Sequence, residues 1–157
     1  MPKLSAGLLP FRRSEGFLQV FLVHPGGPFW ARKDLGAWSI AKGEPSPDED
    51  PLQAAIREFR EETGFDPRGP FQELGQSRQP GGKIVQAWAF EGDFDPSLLQ
   101  SNTFTMSWPP RSGRLQSFPE VDRAEWFTLE TARKKILPGQ VPLLEALGER
   151  FNPDFSP

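Results

Sequence analysis

The spacing of apolar and polar residues divides the chain into several strands, one sharply bounded helix and a helical C-terminal part. Ser5 to Phe11 and Phe17 to His24 are apolar runs on either side of the polar turn Arg12-Arg13-Ser14-Glu15-Gly16, which predicts a β-hairpin. Pro25 to Leu35, with Gly26-Gly27-Pro28 inside it, is expected to be a loop leading into a short strand at Ala37 to Ala41. Lys42 to Asp50, rich in Pro, Asp and Glu, predicts a second loop.

A helix follows, with its ends written into the sequence. Asp50 can act as N-cap, Pro51 suits the first helical position, and Gln53 can complete a variant of the capping box. Gly64 followed by Phe65 predicts a Schellman-type stop. Between these ends Leu52, Ala55, Ile56 and Phe59 recur at i, i+3, i+4 and i+7, an apolar stripe suited to packing on a sheet. Phe71 to Arg78, Lys83 to Glu91 and Arg123 to Thr128 read as further strands. Leu129 to Phe151 reads as one or two helices interrupted at Pro138-Gly139. Asp93 to Pro119 mixes aromatic, basic and turn residues without a clear period, so it is expected to be mostly functional loop.

With 157 residues, the chain is expected to form a single domain, residues 1–157, with one site. Cysteine is absent, which excludes disulfides, thiolate metal sites and a cysteine nucleophile, and agrees with a reducing compartment. Met1 to Pro10 lack the order of a signal peptide and no apolar stretch has the length of a membrane span, so a cytoplasmic protein without a membrane partner is expected. The net charge of −3 gives no general attraction to nucleic acid, and a polyanionic ligand would need local basic groups or bound cations.

On the capped helix, Glu58, Glu61 and Glu62 stand at i, i+3 and i+4, so at about 100° per residue their carboxylates share one side. Like charges so placed repel, by a few tenths of a kcal/mol per pair in water and by more when desolvated. A divalent cation reverses that sign, because hard ions such as Mg²⁺ or Mn²⁺ take carboxylate oxygens and bridge to substrate phosphates. On spacing alone, a solvated face on which Arg57 and Arg60 offset the glutamates accounts for the same residues.

The wider pattern is more specific. Gly43, five residues, Glu49, seven residues, then Arg57-Glu58-Phe59-Arg60-Glu61-Glu62-Thr63-Gly64-Phe65 resembles the Nudix box at all nine of its specified positions over 23 residues. The flank Trp38 to Glu44 is also similar to the family, although Ala41 stands where many relatives carry Pro. The resemblance implies an α/β (α+β) fold of Nudix type, an α/β/α sandwich with a mixed sheet between helices. It implies a Mg²⁺- or Mn²⁺-dependent hydrolase that cleaves a phosphoanhydride in a nucleoside diphosphate linked to a further group X.

Carried over residue by residue, Glu58, Glu61, Glu62 and the Lys42 carbonyl would hold metal. Arg57 would position a glutamate, Glu49 would support the site from the far end of the motif, and Gly43 would allow a tight loop. Glu58 and Glu120 compete for the role of general base, with Glu91 and Glu125 as weaker alternatives. Lys42, Lys33 and Arg32 are expected to meet substrate phosphates, with Lys83, Arg111 and Arg114 as further possibilities. Trp30, Trp108 and Phe104 are expected stacking platforms for a planar group. His24, the single histidine, is expected to be structural. The substrates expected first are nucleoside triphosphates or dinucleoside polyphosphates. The alternatives are removal of pyrophosphate from RNA 5′ ends, which should need a broader basic surface, and a non-catalytic Nudix module that senses a ligand.

Overall fold

The computed structural model describes residues 3–151, so the expected domain limits at 1 and 157 lie outside the described residues. Its central element is β1 (Leu4–Ser14), which pairs parallel with β5 (Ile84–Glu91) on one side. On its other side β1 pairs antiparallel with β2 (Phe17–Pro25) and with the short β3 (Ala41–Gly43). With β4 (Gln72–Arg78) beyond β5 and β8 (Val121–Thr128) beyond β2, the strands run β4-β5-β1-β2-β8 in one mixed sheet.

Helices cover both faces, which is why β1, β2 and β5 are apolar on both sides instead of alternating with polar residues. On one face α1 (Pro51–Thr63) buries Ala54, Ala55, Ile56 and Phe59 against Ala6, Leu8, Phe21, Trp88 and Phe90. Complete burial of a side chain such as Phe59 contributes about 1.5–3 kcal/mol. On the other face α2 (Leu129–Lys135) and α3 (Val141–Phe151) pack Ala132, Leu143, Leu144 and Leu147 over Leu9, Val20, Leu22, Val85 and Ala87. The expected break between them is a single 3₁₀ turn at Pro138–Gln140. Among the described residues no helix is long and apolar enough to cross a membrane.

The helix that carries the acidic motif has the predicted limits. Asp50 accepts a hydrogen bond from the Gln53 N–H at 3.2 Å, and Gly64 sits at φ 77° with its N–H bonded to the Arg60 carbonyl at 2.9 Å. The stop is the simpler αL motif and not the Schellman form, because the Phe65 N–H is taken by the Thr63 hydroxyl at 3.1 Å.

Three further expectations are corrected. The first hairpin turn is only Glu15-Gly16, both at positive φ, so the strands run through Arg12 to Ser14. The strand expected at Ala37 to Ala41 falls instead at Ala41–Gly43. Trp38 and Ile40 are drawn into the core under α2 and α3, and the Trp38 N–H and carbonyl bond to Lys135 and Leu137. The stretch read as functional loop contains a second, two-stranded sheet, β6 (Thr103–Ser107) and β7 (Leu115–Pro119), with Phe104 opposite Phe118. Its turn residues and short strands carry no clear period, and the partner that pairs each strand is visible only in three dimensions.

Candidate active site

Arg57 organises the polar side of α1. Its Nε and Nη2 each donate to a Glu49 carboxylate oxygen at 3.0 Å, a bidentate pair that ties the helix to the preceding loop. Its Nη1 donates to Glu58 Oε1 at 2.9 Å and reaches the Glu61 carboxylate at 3.3 Å. The Arg57 hydrogen bonds hold the Glu49 carboxyl down at about 2, and Glu49 in turn raises Arg57 above its already high value.

Glu62 faces the opposite situation. Burial first, then the neighbouring Glu58 carboxylate, push its carboxyl up to about 9, with Lys42 opposing the shift. Its Oε2 is fully buried and has no hydrogen-bond partner. An ionised oxygen in that position is costly unless a proton or a cation compensates it, and the Glu58-Glu62 pair is the donor set a hard cation takes. The acidic motif therefore fits a divalent ion at this point. Among the described residues no three acidic or imidazole side chains are already gathered around one point. Glu61 is the outlying member, exposed and turned to Arg57.

Gly43 is required for a reason other than loop tightness. A Cβ there would overlap the Glu58 carboxyl carbon and lie 2.5 Å from its Oε2, so only glycine lets Glu58 rest against β3. Lys42, the neighbouring residue on β3, is half-buried, and that burial lowers the pKa of its ammonium against the opposing pull of Glu62 and Glu58. Its backbone is paired opposite Gly7 of β1.

Lys42 and Glu62 line a cavity of about 260 Å³ together with Trp30, Ser39, Ile40 and Glu120. Glu120 stands between β7 and β8, and burial followed by the charge of Glu58 raises its carboxyl above the ordinary range. The structure thus brings Lys42, Glu58, Glu62, Glu120 and Trp30 from four separate stretches of chain to one place.

Comparison with known proteins bears on what such a place is. The NUDIX domain pattern matches residues 1–147. The chain belongs to the Nudix family of hydrolases. A curated relative, the CTP pyrophosphohydrolase of Escherichia coli (strain K12), is 29% identical over 112 residues, 71% of this chain and 70% of that protein. An octanoyltransferase of Myxococcus xanthus is 31% identical over 101 residues, but that segment spans 64% of this chain and only 25% of its own length. Two solved structures share the fold. The NUDIX domain of Shewanella oneidensis NrtR, complexed with ADP ribose, gives a TM-score of 0.67 at 19% identity, covering 97% of this chain and 90% of that one. A C. elegans Ap4A hydrolase binary complex gives 0.65 at 23% identity, covering 96% and 99%.

The remaining residues named from sequence sort themselves around this Nudix site. Lys33 places its ammonium 4.9 Å from the Trp30 ring centroid but lines neither the cavity nor the hollow beside it. Arg32 is exposed and lines neither this cavity nor the adjoining one. Lys83 is near enough to Lys42 to depress its pKa further. Trp108 lies outside the cavity, edge-on to Phe29 at 5.3 Å, and Arg111 and Arg114 belong to the tip of the β6–β7 hairpin. Glu125 lines a larger, open depression of about 560 Å³ elsewhere, where Arg12 is already bonded to Asp93 and stacked on Trp126. Glu91 is exposed at the end of β5. His24 is buried; its Nε2–H donates to the Lys33 carbonyl at 2.6 Å and its Nδ1 meets Asp122 at 2.8 Å. It ties the loop carrying Trp30 to β8, the structural role expected of it.

Ser39, Phe29, Met106 and the Gly26-Gly27 pair were not singled out as site residues. The adjacent glycines were a usable signal, since two in succession beside aromatic residues mark a close approach of backbone to something else.

Proposed function

We propose that the protein is a Mg²⁺- or Mn²⁺-dependent pyrophosphohydrolase acting on a nucleoside triphosphate or dinucleoside polyphosphate. The observation that carries this reading is the buried, unpartnered Glu62 oxygen beside Glu58, at the end of a cavity that also holds Lys42 and Glu120. Glu58, Glu61, Glu62 and the Lys42 carbonyl are the groups assigned to the ion. A bound divalent cation supplies positive charge to the phosphoryl oxygens and acidifies a nearby water.

The chain's own residues supply the rest. Arg57 fixes the carboxylate of Glu58 from one side while Gly43 leaves room for it on the other. Lys42 lines the same cavity, and its ammonium is assigned to a phosphate oxygen of the substrate. Glu120 lines the same cavity and is assigned to accept the proton of the attacking water, its raised pKa making it a better acceptor than an ordinary carboxylate. Glu58 is the competing base, with one of its oxygens already accepting a hydrogen bond from Arg57. Both relatives named for nucleotide hydrolysis, of CTP and of Ap4A, support this substrate class.

A substrate panel tests the reading. Nucleoside triphosphates, dinucleoside polyphosphates, nucleotide sugars including ADP-ribose, diphosphoinositol compounds and 5′-triphosphorylated RNA are incubated with Mg²⁺ or EDTA, and products identified by mass spectrometry. Metal-dependent cleavage of a free nucleotide is expected. Cleavage confined to RNA, or ligand binding without any cleavage, would replace the proposal with the RNA or sensing alternative.

A further inference from the structure

Next to the carboxylate cavity lies a second hollow of about 360 Å³, lined by Gly27, Phe29, Trp30, Phe104, Met106 and Glu120 among others. Trp30, Pro25 and Glu120 border both, so the two form one cleft with an acidic end and an aromatic end. One wall of the aromatic end is the β6–β7 hairpin, which stands off the main sheet.

The chain takes particular care over where that hairpin rests. A Cβ on Gly26 would overlap the Pro119 carbonyl oxygen, and one on Gly27, at φ 96°, would come within 2.9 Å of Phe104 Cζ. The Gly26 N–H donates to the Glu120 carbonyl at 2.9 Å, and the Glu120 N–H donates to the Asn102 carbonyl at 2.9 Å. The Asn102 N–H in turn donates to the Glu61 carbonyl at 2.8 Å, and the Gln100 N–H to the Thr63 carbonyl at 2.9 Å. These two bonds satisfy end carbonyls of α1 that a helix cannot satisfy itself. The hairpin is therefore bolted at its root to the helix of the acidic motif and at its side to the glycine pair.

Building on the hydrolase reading, we infer that this hairpin is the specificity element of the site. Phe104 and Met106 are the wall that selects a flat aromatic group on the substrate, and Gly26-Gly27 is the seat that sets the slot width. Trp30 and Phe104 both line this hollow, and in the proposed arrangement a planar ring is held between them by stacking and apolar contact while its phosphates reach Lys42 and the carboxylates. A non-aromatic group gains nothing from these surfaces.

Steady-state kinetics on Phe104→Ala and Phe104→Leu, with a nucleotide that the wild type cleaves, tests this. Loss of one stacking partner corresponds to roughly a ten- to hundredfold rise in KM, with kcat near the wild-type value. Phe104→Leu keeps the apolar bulk that holds the hairpin against Gly27, so a KM rise there reads the lost ring and not a loosened fold. Gly27→Ala should raise KM as well, by forcing Phe104 into the slot. Independently of turnover, ATP or CTP should quench tryptophan emission in the wild type and much less in the Phe104 variants, while inorganic tripolyphosphate should not quench it. Unchanged KM and quenching in both Phe104 variants would overturn the inference and leave the hydrolase reading intact. Phe104-dependent quenching in a protein that cleaves no anhydride would leave the slot standing and remove the hydrolase.

Discussion

Gly43→Ala perturbs the site through one methyl group. The new Cβ would lie 2.5 Å from Glu58 Oε2 and closer still to other carboxyl atoms, where ordinary contact begins at 3.4 Å. Glu58 must therefore retreat by about 1 Å, and it must do so against Arg57, which holds its Oε1 at 2.9 Å. A displacement of about 1 Å in a reacting group costs on the order of 10²-fold in rate. Local overpacking costs about 1–3 kcal/mol, which in a domain of this size lowers Tm by roughly 2–12 °C. The expected result is a folded protein with Mg²⁺-dependent turnover reduced about a hundredfold, measured by chromatographic separation of the nucleotide products beside a thermal melt. The decisive comparison is the double variant: in a Glu58→Ala background Gly43→Ala should cost almost nothing further, because the carboxylate it displaces is gone. Additive losses, or a Gly43→Ala enzyme with wild-type turnover, would refute the reasoning.

Glu62→Gln keeps the shape and removes the charge, so it should abolish most metal-dependent turnover while remaining folded. Because the Glu62 carboxyl is raised to about 9 in the folded state, its own contribution to the stability of the metal-free protein is fully present below 4.5 and is lost as pH rises from 4.5 toward 9. The metal-free Gln variant should accordingly melt higher than the wild type at pH 8 and gain less from added Mg²⁺; equal melts with and without metal in both proteins would sink the assignment. Glu49 titrates in the opposite sense: its folded value of about 2 lies below 4.5, so its contribution is present above 4.5 and is lost as pH falls through about 2. Glu49→Gln should flatten the acid limb of the stability curve over that window, and an unchanged limb would show that the Arg57 pair does not contribute. Arg57→Lys keeps the charge but cannot make the bidentate bond, and turnover should fall roughly 10–100-fold, as for other groups that orient metal ligands.

The limits of α1, its apolar stripe and the side on which Glu58, Glu61 and Glu62 stand were legible because each depends on residues within four positions of one another. Caps, helical period and the left-handed stop at Gly64 are local physics, and the Nudix resemblance rests on the same compact stretch. The central strands were legible for a related reason: both faces are buried, so apolar runs mark them whatever they pair with. What tertiary structure alone decided is which distant pieces meet. Lys42, Glu120 and Trp30 converge on Glu62 because the fold brings β3, the β7–β8 junction and the loop after β2 to one cavity, and no spacing in the chain records that. The β6–β7 hairpin and the displaced strand at Ala41–Gly43 escaped for the same cause, since each is stabilised by partners far along the chain. Even Gly43, visible as a motif position, took its meaning from a carboxylate on α1, because a missing methyl group matters only where another atom occupies its place.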